Sequence, residues 1–171
     1  MSKQQYLLSG VASAMAFALF ASSVASFAQA SDRTAFVQKP EQRVTARQVA
    51  ILLDRAHYND QRLDESMSQV ILQQYFDKLD PNRTLLLQSD VDEFISKYGQ
   101  TYAAYLMRGD LTPGIEIFER FRTRSFEYFK AAKAHLATDI DLYTNKSIIL
   151  DREKAPRFQS KEEQLEYWKN Q

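Results

Sequence analysis

The side chains that could act as acids, bases or nucleophiles are few and scattered in this chain of 171 residues. The only two histidines, His57 and His135, fall in different predicted helices, and neither has a carboxylate at the spacing of a metal site. A lone imidazole at a helix end more often caps or packs than catalyses. The absence of cysteine excludes thiolate catalysis, disulfides and cysteine-ligated metals.

Two pairs of neighbouring carboxylates invite an acid–base interpretation, and both are typical of a helix start. Asp90 and Asp92 have the spacing of an acid–base pair, but they follow Ser89, a residue type that caps helices. Glu162 and Glu163 stand in the same position in a later segment. Because carboxylates in a first helical turn are stabilised by the helix dipole, the pattern favours a structural role for both pairs.

One segment, Asp139 to Asn145, resembles the beginning of a calcium-binding loop. It fails the pattern because Tyr143 takes an acidic position, Thr144 the position of the required glycine, and Leu150 that of the terminal glutamate. With four glycines in the chain, a phosphate-binding loop or a nucleophile elbow is not expected either. The sequence therefore predicts no cofactor, no metal and no catalytic residue.

Aromatic residues are the most prominent feature of the composition. The chain has eleven phenylalanines and nine tyrosines, and their helical spacing predicts that most lie in the core and the rest on a partner surface. Lysine and arginine together equal aspartate and glutamate, at 22 each, without a basic run. Such a balance does not favour binding to nucleic acid or to an anionic membrane. Binding or scaffolding is the function that this composition supports.

The first thirty residues are typical of a secretory signal peptide. Lys3 precedes an uncharged stretch from Leu7 to Phe20, and Ala28 and Ala30 satisfy the small-residue rule for cleavage before Ser31. A retained membrane anchor is the alternative, but serine and glycine dilute the roughly 20 strongly apolar residues that a span needs. The sequence predicts export to the periplasm with no stable membrane span.

Hydrophobic periodicity predicts an all-α domain of about five helices with short extended apolar segments between them. A polar linker over residues 31–44 is expected to precede the domain, which occupies residues 45–171. The helices are predicted from Thr45, from Asp64 to Leu79, from Ser89 to Leu106 with a bend at Gly99, from Thr112 to Leu136, and from Ser160 onward. The apolar segments are Thr84 to Leu87 and Ser147 to Leu150.

Two expectations concern packing. The core face of the fourth and longest helix is predicted from residues at helical spacing. They are Ile115, Phe118, Phe121 or Arg122, Ser125, Phe129, Ala132 and Leu136. The last helix reaches Gln171 without a cap or a glycine stop, which predicts a chain cut within that helix. Trp168 is then expected to have lost packing partners and to be largely solvated.

Several blocks of the chain, from about Val44 to the last residue, resemble the N-terminal domain of bacterial tail-specific, or C-terminal processing, proteases. The blocks are His57-Tyr58, Leu63-Asp64, Leu79-Asp80, Leu85 to Phe94 and Leu150 to Pro156. The resemblance implies a periplasmic endopeptidase with a serine–lysine dyad and a PDZ domain that recognises the C-terminal tails of protein substrates. Nothing in this chain matches the nucleophile, lysine or PDZ segments, so no catalytic residue is assigned.

The resemblance further implies partners. They are the downstream PDZ and protease domains, protein substrates, and a periplasmic helical-repeat lipoprotein that acts as adaptor. A helical domain that packs around the protease core is the leading hypothesis. A stand-alone exported helical binding protein is the alternative, because about 141 residues suffice for one core. A small periplasmic enzyme of another class is a third and weaker interpretation.

Overall fold

The computed structural model describes residues 35–56, 62–138 and 147–170, and every regular element in these ranges is a helix. The helices are α1 (Pro40–Ala56), α2 (Glu65–Leu79), α3 (Gln88–Tyr98), α4 (Tyr102–Met107), α5 (Thr112–Leu136) and α6 (Lys161–Lys169). The predicted all-α class is confirmed. None of the helices in these ranges combines the length and apolar character that a membrane crossing requires.

The core forms where α2, α3, α4 and α5 meet. Leu72 and Phe76 project from one side of α2, four residues apart, and are completely buried. Phe76 lies 6.4 Å from the ring of Phe94 on α3, a distance typical of aromatic packing. Leu86, in the predicted apolar segment before α3, is also completely buried. That segment is confirmed as a non-helical plug of the core.

The predicted third helix is divided into α3 and α4, and Gly99 lies at the break. Glycine is a poor helix former, and a neighbouring side chain stabilises the interruption. The backbone N–H of Ala103 donates to the Oγ of Ser68 on α2 at 2.9 Å instead of continuing the helix. The Ser68 hydroxyl is completely buried and lies 3.4 Å from the carbonyl oxygen of Gln100. A bent single helix was therefore the wrong prediction.

Helix α1 begins at Pro40, five residues before the predicted start at Thr45. Proline suits a first helical turn because its fixed φ matches the helix and its missing N–H is not needed there. The side chain of Gln42 accepts a hydrogen bond from the backbone N–H of Lys39 at 2.9 Å. This bond stabilises the helix start in place of a capping Ser, Thr or Asp. The last five positions assigned to the linker are thus helical.

The attachment of α1 depends on the corner between α4 and α5. Gly109 adopts a φ of 69°, the left-handed conformation expected for it, and a Cβ at this position would overlap the carbonyl oxygen of Arg43. Gln38 bridges the same corner, because its Nε2 donates to the Gly109 carbonyl oxygen at 2.7 Å and its Oε1 accepts the N–H of Leu111 at 3.0 Å. Within the described part of α1, Ala50 alone is buried.

Helix α6 docks on the apolar segment before α3, and this corrects the expectation for Trp168. Its indole N–H donates to the carbonyl oxygen of Thr84 at 3.0 Å, and its ring meets Tyr128 of α5 edge to face at 5.2 Å. Gln164, one turn earlier, donates to the carbonyl oxygen of Leu85 at 2.8 Å. Trp168 is only 9% exposed, because contacts from distant parts of the chain cover it.

Local signals at the other helix ends give a mixed result. Asp64 and Ser160, the residues at which the second and last helices were predicted to begin, cap α2 and α6, since each side chain accepts a first-turn backbone N–H. The end of α6 is not bare, because Asn170 follows it and donates through Nδ2 to the carbonyl oxygen of Glu166 at 2.6 Å. Ile149 and Leu150 are exposed, so the segment from 147 to 150 does not extend the core.

Candidate interaction surface on helix α5

The first turn of α3 places a carboxylate inside the protein. The helix begins at Gln88, and Leu87 occupies the capping position predicted for Ser89. The Oδ2 of Asp90 accepts the backbone N–H of Leu87 at 3.0 Å, so the cap is provided from within the helix. Asp90 is completely enclosed as a result, with 1% of its surface exposed. A buried carboxylate needs a cation, and α5 supplies it.

Two arginines of α5 hold Asp90 from the other side. Arg124 donates to both oxygens, with Nε 2.8 Å from Oδ2 and a terminal nitrogen 2.9 Å from Oδ1. Arg120 adds a third contact of 2.6 Å to Oδ1. Such a two-pronged geometry is the strongest form of arginine–carboxylate pairing, and Arg124 is itself buried. Asp90 therefore anchors α5 to α3.

The environment of Asp90 sets its protonation state. Burial raises the pKa of this carboxyl, but the hydrogen bonds from Arg124 and Arg120 outweigh burial, and the pKa lies below its ordinary value. Asp92 is exposed and accepts a hydrogen bond from Gln88 instead of facing Asp90. The two carboxylates therefore do not form an acid–base pair, in agreement with the structural interpretation of this segment.

The ion pairs continue outward from Asp90 in two directions. Glu93 on α3 accepts two hydrogen bonds from Arg120, at 2.9 and 3.0 Å. Glu127 accepts from Arg124 at 2.9 Å and from Lys161 of α6, also at 2.9 Å. One network thus connects α3, α5 and α6. We call the side of α5 that carries Arg120, Arg124 and Glu127 its charged face.

A second buried ion pair fixes the segment that α6 docks upon. Asp80 accepts the backbone N–H groups of Thr84 and Leu86, each at 2.9 Å. Arg157 donates to the same carboxylate at 2.6 Å, and both side chains are almost completely buried. Since these hydrogen bonds hold the chain after α2 in a tight turn, Asp80 and Arg157 have a structural role.

The opposite side of α5 is apolar and exposed. Phe118 is 37% exposed, Phe129 64% and Leu136 74%, while Phe121 is half-buried. These residues recur at helical spacing along one side, which we call the phenylalanine face, defined by Phe118, Phe121 and Phe129. A shallow groove of about 210 Å³ follows it. Its lining residues are Phe118, Phe121, Arg122, Ser125, Phe126 and Phe129.

The predicted core face of α5 is wrong for Phe118, Phe129 and Leu136, whereas the predicted Phe121 is half-buried and packs against the core. The side of α5 that enters the core carries Pro113, Ile117 and Arg124, whereas Phe118 and Phe129 face solvent. The reason is the buried Asp90, which can be accommodated only by a helix that turns its arginines inward. Arg120 and Arg124 were not among the residues predicted to face the core. Their spacing of four residues, opposite an acidic helix start, was the available signal.

Other predicted positions do not come together in a site. The cleavage residues Ala28, Ala30 and Ser31, together with His57 and the segment 139–145, lie outside the described residues. His135 is half-buried near the end of α5, beside α6. Within the described ranges, no three histidine or acidic side chains are arranged to hold a metal ion.

The fold and its surfaces define an all-α domain held by an internal ion-pair network, with an aromatic face left exposed. Residues 49–171 match the family model described as the tail specific protease N-terminal domain. A tail-specific protease from Haemophilus influenzae is 31% identical over 128 residues. The chain belongs to this family of tail-specific protease N-terminal domains, as its sequence blocks indicated.

The match covers most of this chain but only a small part of the relative. The aligned region covers 75% of this chain but only 18% of the Haemophilus relative. Most of that protease thus has no counterpart in the 171 residues. The match identifies the kind of domain. It does not account for the phenylalanine face, whose large apolar side chains are exposed.

Proposed function

We propose that this chain is a non-catalytic helical domain of a tail-specific protease, and that its phenylalanine face packs against the remainder of the same enzyme. The observation that carries the proposal is the exposure of Phe118 and Phe129 on the same side of a long, well-anchored helix, about three turns apart. A contiguous exposed apolar surface of this kind marks an interaction site more often than a solvated surface.

The length of the relative supports the identity of the partner. Since more than four-fifths of the Haemophilus protease lies outside the alignment, a large part of such an enzyme is available to cover the face. Complete burial of a phenylalanine contributes roughly 1.5–3 kcal/mol, so covering Phe129 from its present exposure would contribute about 1–2 kcal/mol.

The serine–lysine chemistry, substrate recognition through C-terminal tails and docking of an adaptor belong, in this proposal, to the complete enzyme. We further propose that residues 1–30 direct export to the periplasm and are removed before Ser31. The support is the sequence pattern around Ala28 and Ala30. Intact mass spectrometry of a periplasmic extract would show the loss of residues 1–30, whereas full-length protein in the membrane fraction would contradict cleavage.

The packing proposal is tested by comparing the 171-residue chain with the longer protease that contains it. Reading the codons after Gln171 supplies the longer sequence, and a stop codon there would refute the proposal. Hydroxyl-radical footprinting then measures oxidation of Phe118 and Phe129 in both proteins. We expect both rings to be protected severalfold in the longer protein. Equal oxidation would show that the face is not covered by the enzyme.

A variant distinguishes packing from indirect protection. Phe129→Asp should leave the melting of the short chain unchanged but destabilise the longer protease. Thr123→Asp is the matched control, because Thr123 is exposed on another side of α5. Equal effects of the two substitutions in the longer protein would contradict the proposal. If the short chain dimerises and Phe129→Asp abolishes the dimer, the face is instead a contact between two copies.

A further inference from the structure

A second surface lies between the end of α5 and α6, on the side of α5 away from the phenylalanine face. It is a groove of about 800 Å³. Its apolar floor includes Ala131 and Ala134 of α5 and Leu165 and Trp168 of α6. We call it the lysine groove because of the residues along its rim.

The rim is positively charged. Lys130 on α5 and Lys169 on α6 line it, are exposed, and have no acidic partner among the described residues. Lys161 also lines the groove and pairs with Glu127. Glu127 is the only acidic residue in its described lining, and it is shared with Arg124, so its charge is already balanced.

The acidic residues of α6 do not offset this charge, since they are not part of the groove lining. Glu163 caps the start of its own helix through the N–H of Gln159, and Glu166 accepts from Asn170 near the end. Glu162 is exposed on α6 outside the lining. The groove therefore presents an apolar floor between unpaired ammonium groups, which complements an apolar stripe flanked by carboxylates.

The walls also restrict the backbone conformation of an occupant. Both are helices, whose interior N–H and C=O groups already bond within the helix. Except at the last turns of α5 and α6, an extended segment would find no backbone partners on these walls and would lose its own hydrogen bonds to water. A helix satisfies its backbone internally and can place residues spaced by three and four into a groove between two others.

We propose that the lysine groove binds an acidic amphipathic helix of a separate protein, with its apolar stripe against Leu165 and Trp168 and its carboxylates against Lys130 and Lys169. This goes beyond the proposed function. The phenylalanine face, which we assign to the same enzyme, lies on another side of α5, so covering that face does not itself block the lysine groove.

The experiment uses Trp168, the only tryptophan of the chain, as a probe inside the groove. The 171-residue chain is titrated with a synthetic helical peptide of about 18 residues, long enough for stable turns, built from Leu and Glu without aromatic residues. We expect a saturable change in Trp168 fluorescence that weakens as salt is added. A peptide with Lys in place of Glu, and a scrambled peptide of the same composition, should give no saturable change.

Variants locate the binding. Lys130→Glu combined with Lys169→Glu should weaken binding of the acidic peptide by at least about tenfold, a loss of about 1.4 kcal/mol. The matched control is Lys133→Glu combined with Lys154→Glu, two exposed lysines outside the groove lining, and we expect a change of less than about twofold. Should the charge-reversed variant misfold by circular dichroism, Lys130→Gln with Lys169→Gln serves the same purpose.

Each contrary result overturns the proposal. They are equal binding of the Lys peptide or the scrambled peptide, equal loss in the groove and control variants, or the absence of a saturable response to the acidic peptide. Phe129→Asp should leave peptide binding unchanged, so the proposal for the lysine groove and the proposal for the phenylalanine face are tested independently.

Discussion

The charged face and the phenylalanine face lie on the same helix, α5, but differ in burial: a charged residue is buried on one and apolar residues are exposed on the other. The charged face brings Arg124 into the protein, where it meets the buried carboxylate of Asp90 in two hydrogen bonds. The phenylalanine face leaves Phe129 mostly in solvent. Hydrophobicity alone would place these residues the other way round. The difference shows that a single buried charge on a neighbouring helix can decide which side of a helix enters the core.

The two faces also differ in how strongly they depend on this domain alone. A buried ion pair adds little stability compared with a well-packed apolar pair, because both charges lose hydration. Removing one partner is costly, since the other charge stays buried without compensation. The charged face should therefore be sensitive to substitution within the isolated chain. The phenylalanine face should become sensitive only when another surface covers it.

The largest effect is expected from Asp90→Ala. This substitution removes the carboxylate that accepts two hydrogen bonds from the buried Arg124, leaves it only Glu127 as an acidic partner, and removes the acceptor of the Leu87 N–H. We expect the free energy of unfolding to fall by about 3–5 kcal/mol, measured by urea denaturation. Glu93→Ala, which removes an exposed partner of Arg120, is the control and should cost about 1 kcal/mol or less. A similar loss of unfolding free energy in the two variants would contradict the claim that the buried ion pair matters more than the exposed one.

The pH dependence of unfolding gives an intermediate effect. Folding lowers the pKa of Asp90 below 3.8, because the arginine hydrogen bonds outweigh burial. The ionised Asp90 carboxylate therefore stabilises the folded state above that pH. The contribution is lost as the pH falls through the folded pKa. We expect stability to decrease between about pH 5 and about pH 2, and to decrease less steeply in Asp90→Asn. Parallel pH profiles would show that Asp90 does not carry the effect.

The smallest effect is expected from Phe129→Ser in the isolated chain. The side chain is 64% exposed, so its removal should change the free energy of unfolding by no more than about 0.5 kcal/mol. Phe94→Ala, in the core, should cost about 3–5 kcal/mol in the same assay. A large loss from Phe129→Ser would mean that the phenylalanine face is already packed within the short chain.

Features decided by neighbouring residues were predictable from sequence. Asp64 and Ser160 cap helices because each side chain reaches an N–H three residues later, and Gly109 takes the left-handed conformation that other residues avoid. The start of α1 was missed because Pro40 and Gln42 form a less familiar beginning. Short-range signals therefore located most helices, with errors at their ends.

Features decided by distant residues were not predictable in this way. The orientation of α5 depends on Asp90, 34 positions before Arg124, and the burial of Trp168 depends on the carbonyl oxygen of Thr84, 84 positions earlier. Periodicity identifies an apolar stripe but does not contain the position of a carboxylate on another helix. The family resemblance defined the kind of domain, and the lysine groove required the packing of α5 on α6.

The corner at Gly109 has a consequence for motion. Helix α1 packs on α4 and is joined to the rest of the domain by Gln38, by the close approach of Arg43 to Gly109, and by Asp54, which accepts the N–H of Leu63. Ala50 is the one buried residue in its described part. An element held by so few buried contacts separates at a lower free energy than the core does. The amide hydrogens of α1 should then exchange with solvent through local opening, while those around Phe76 exchange only when the whole domain unfolds. We therefore expect α1 to detach from the domain before the core unfolds.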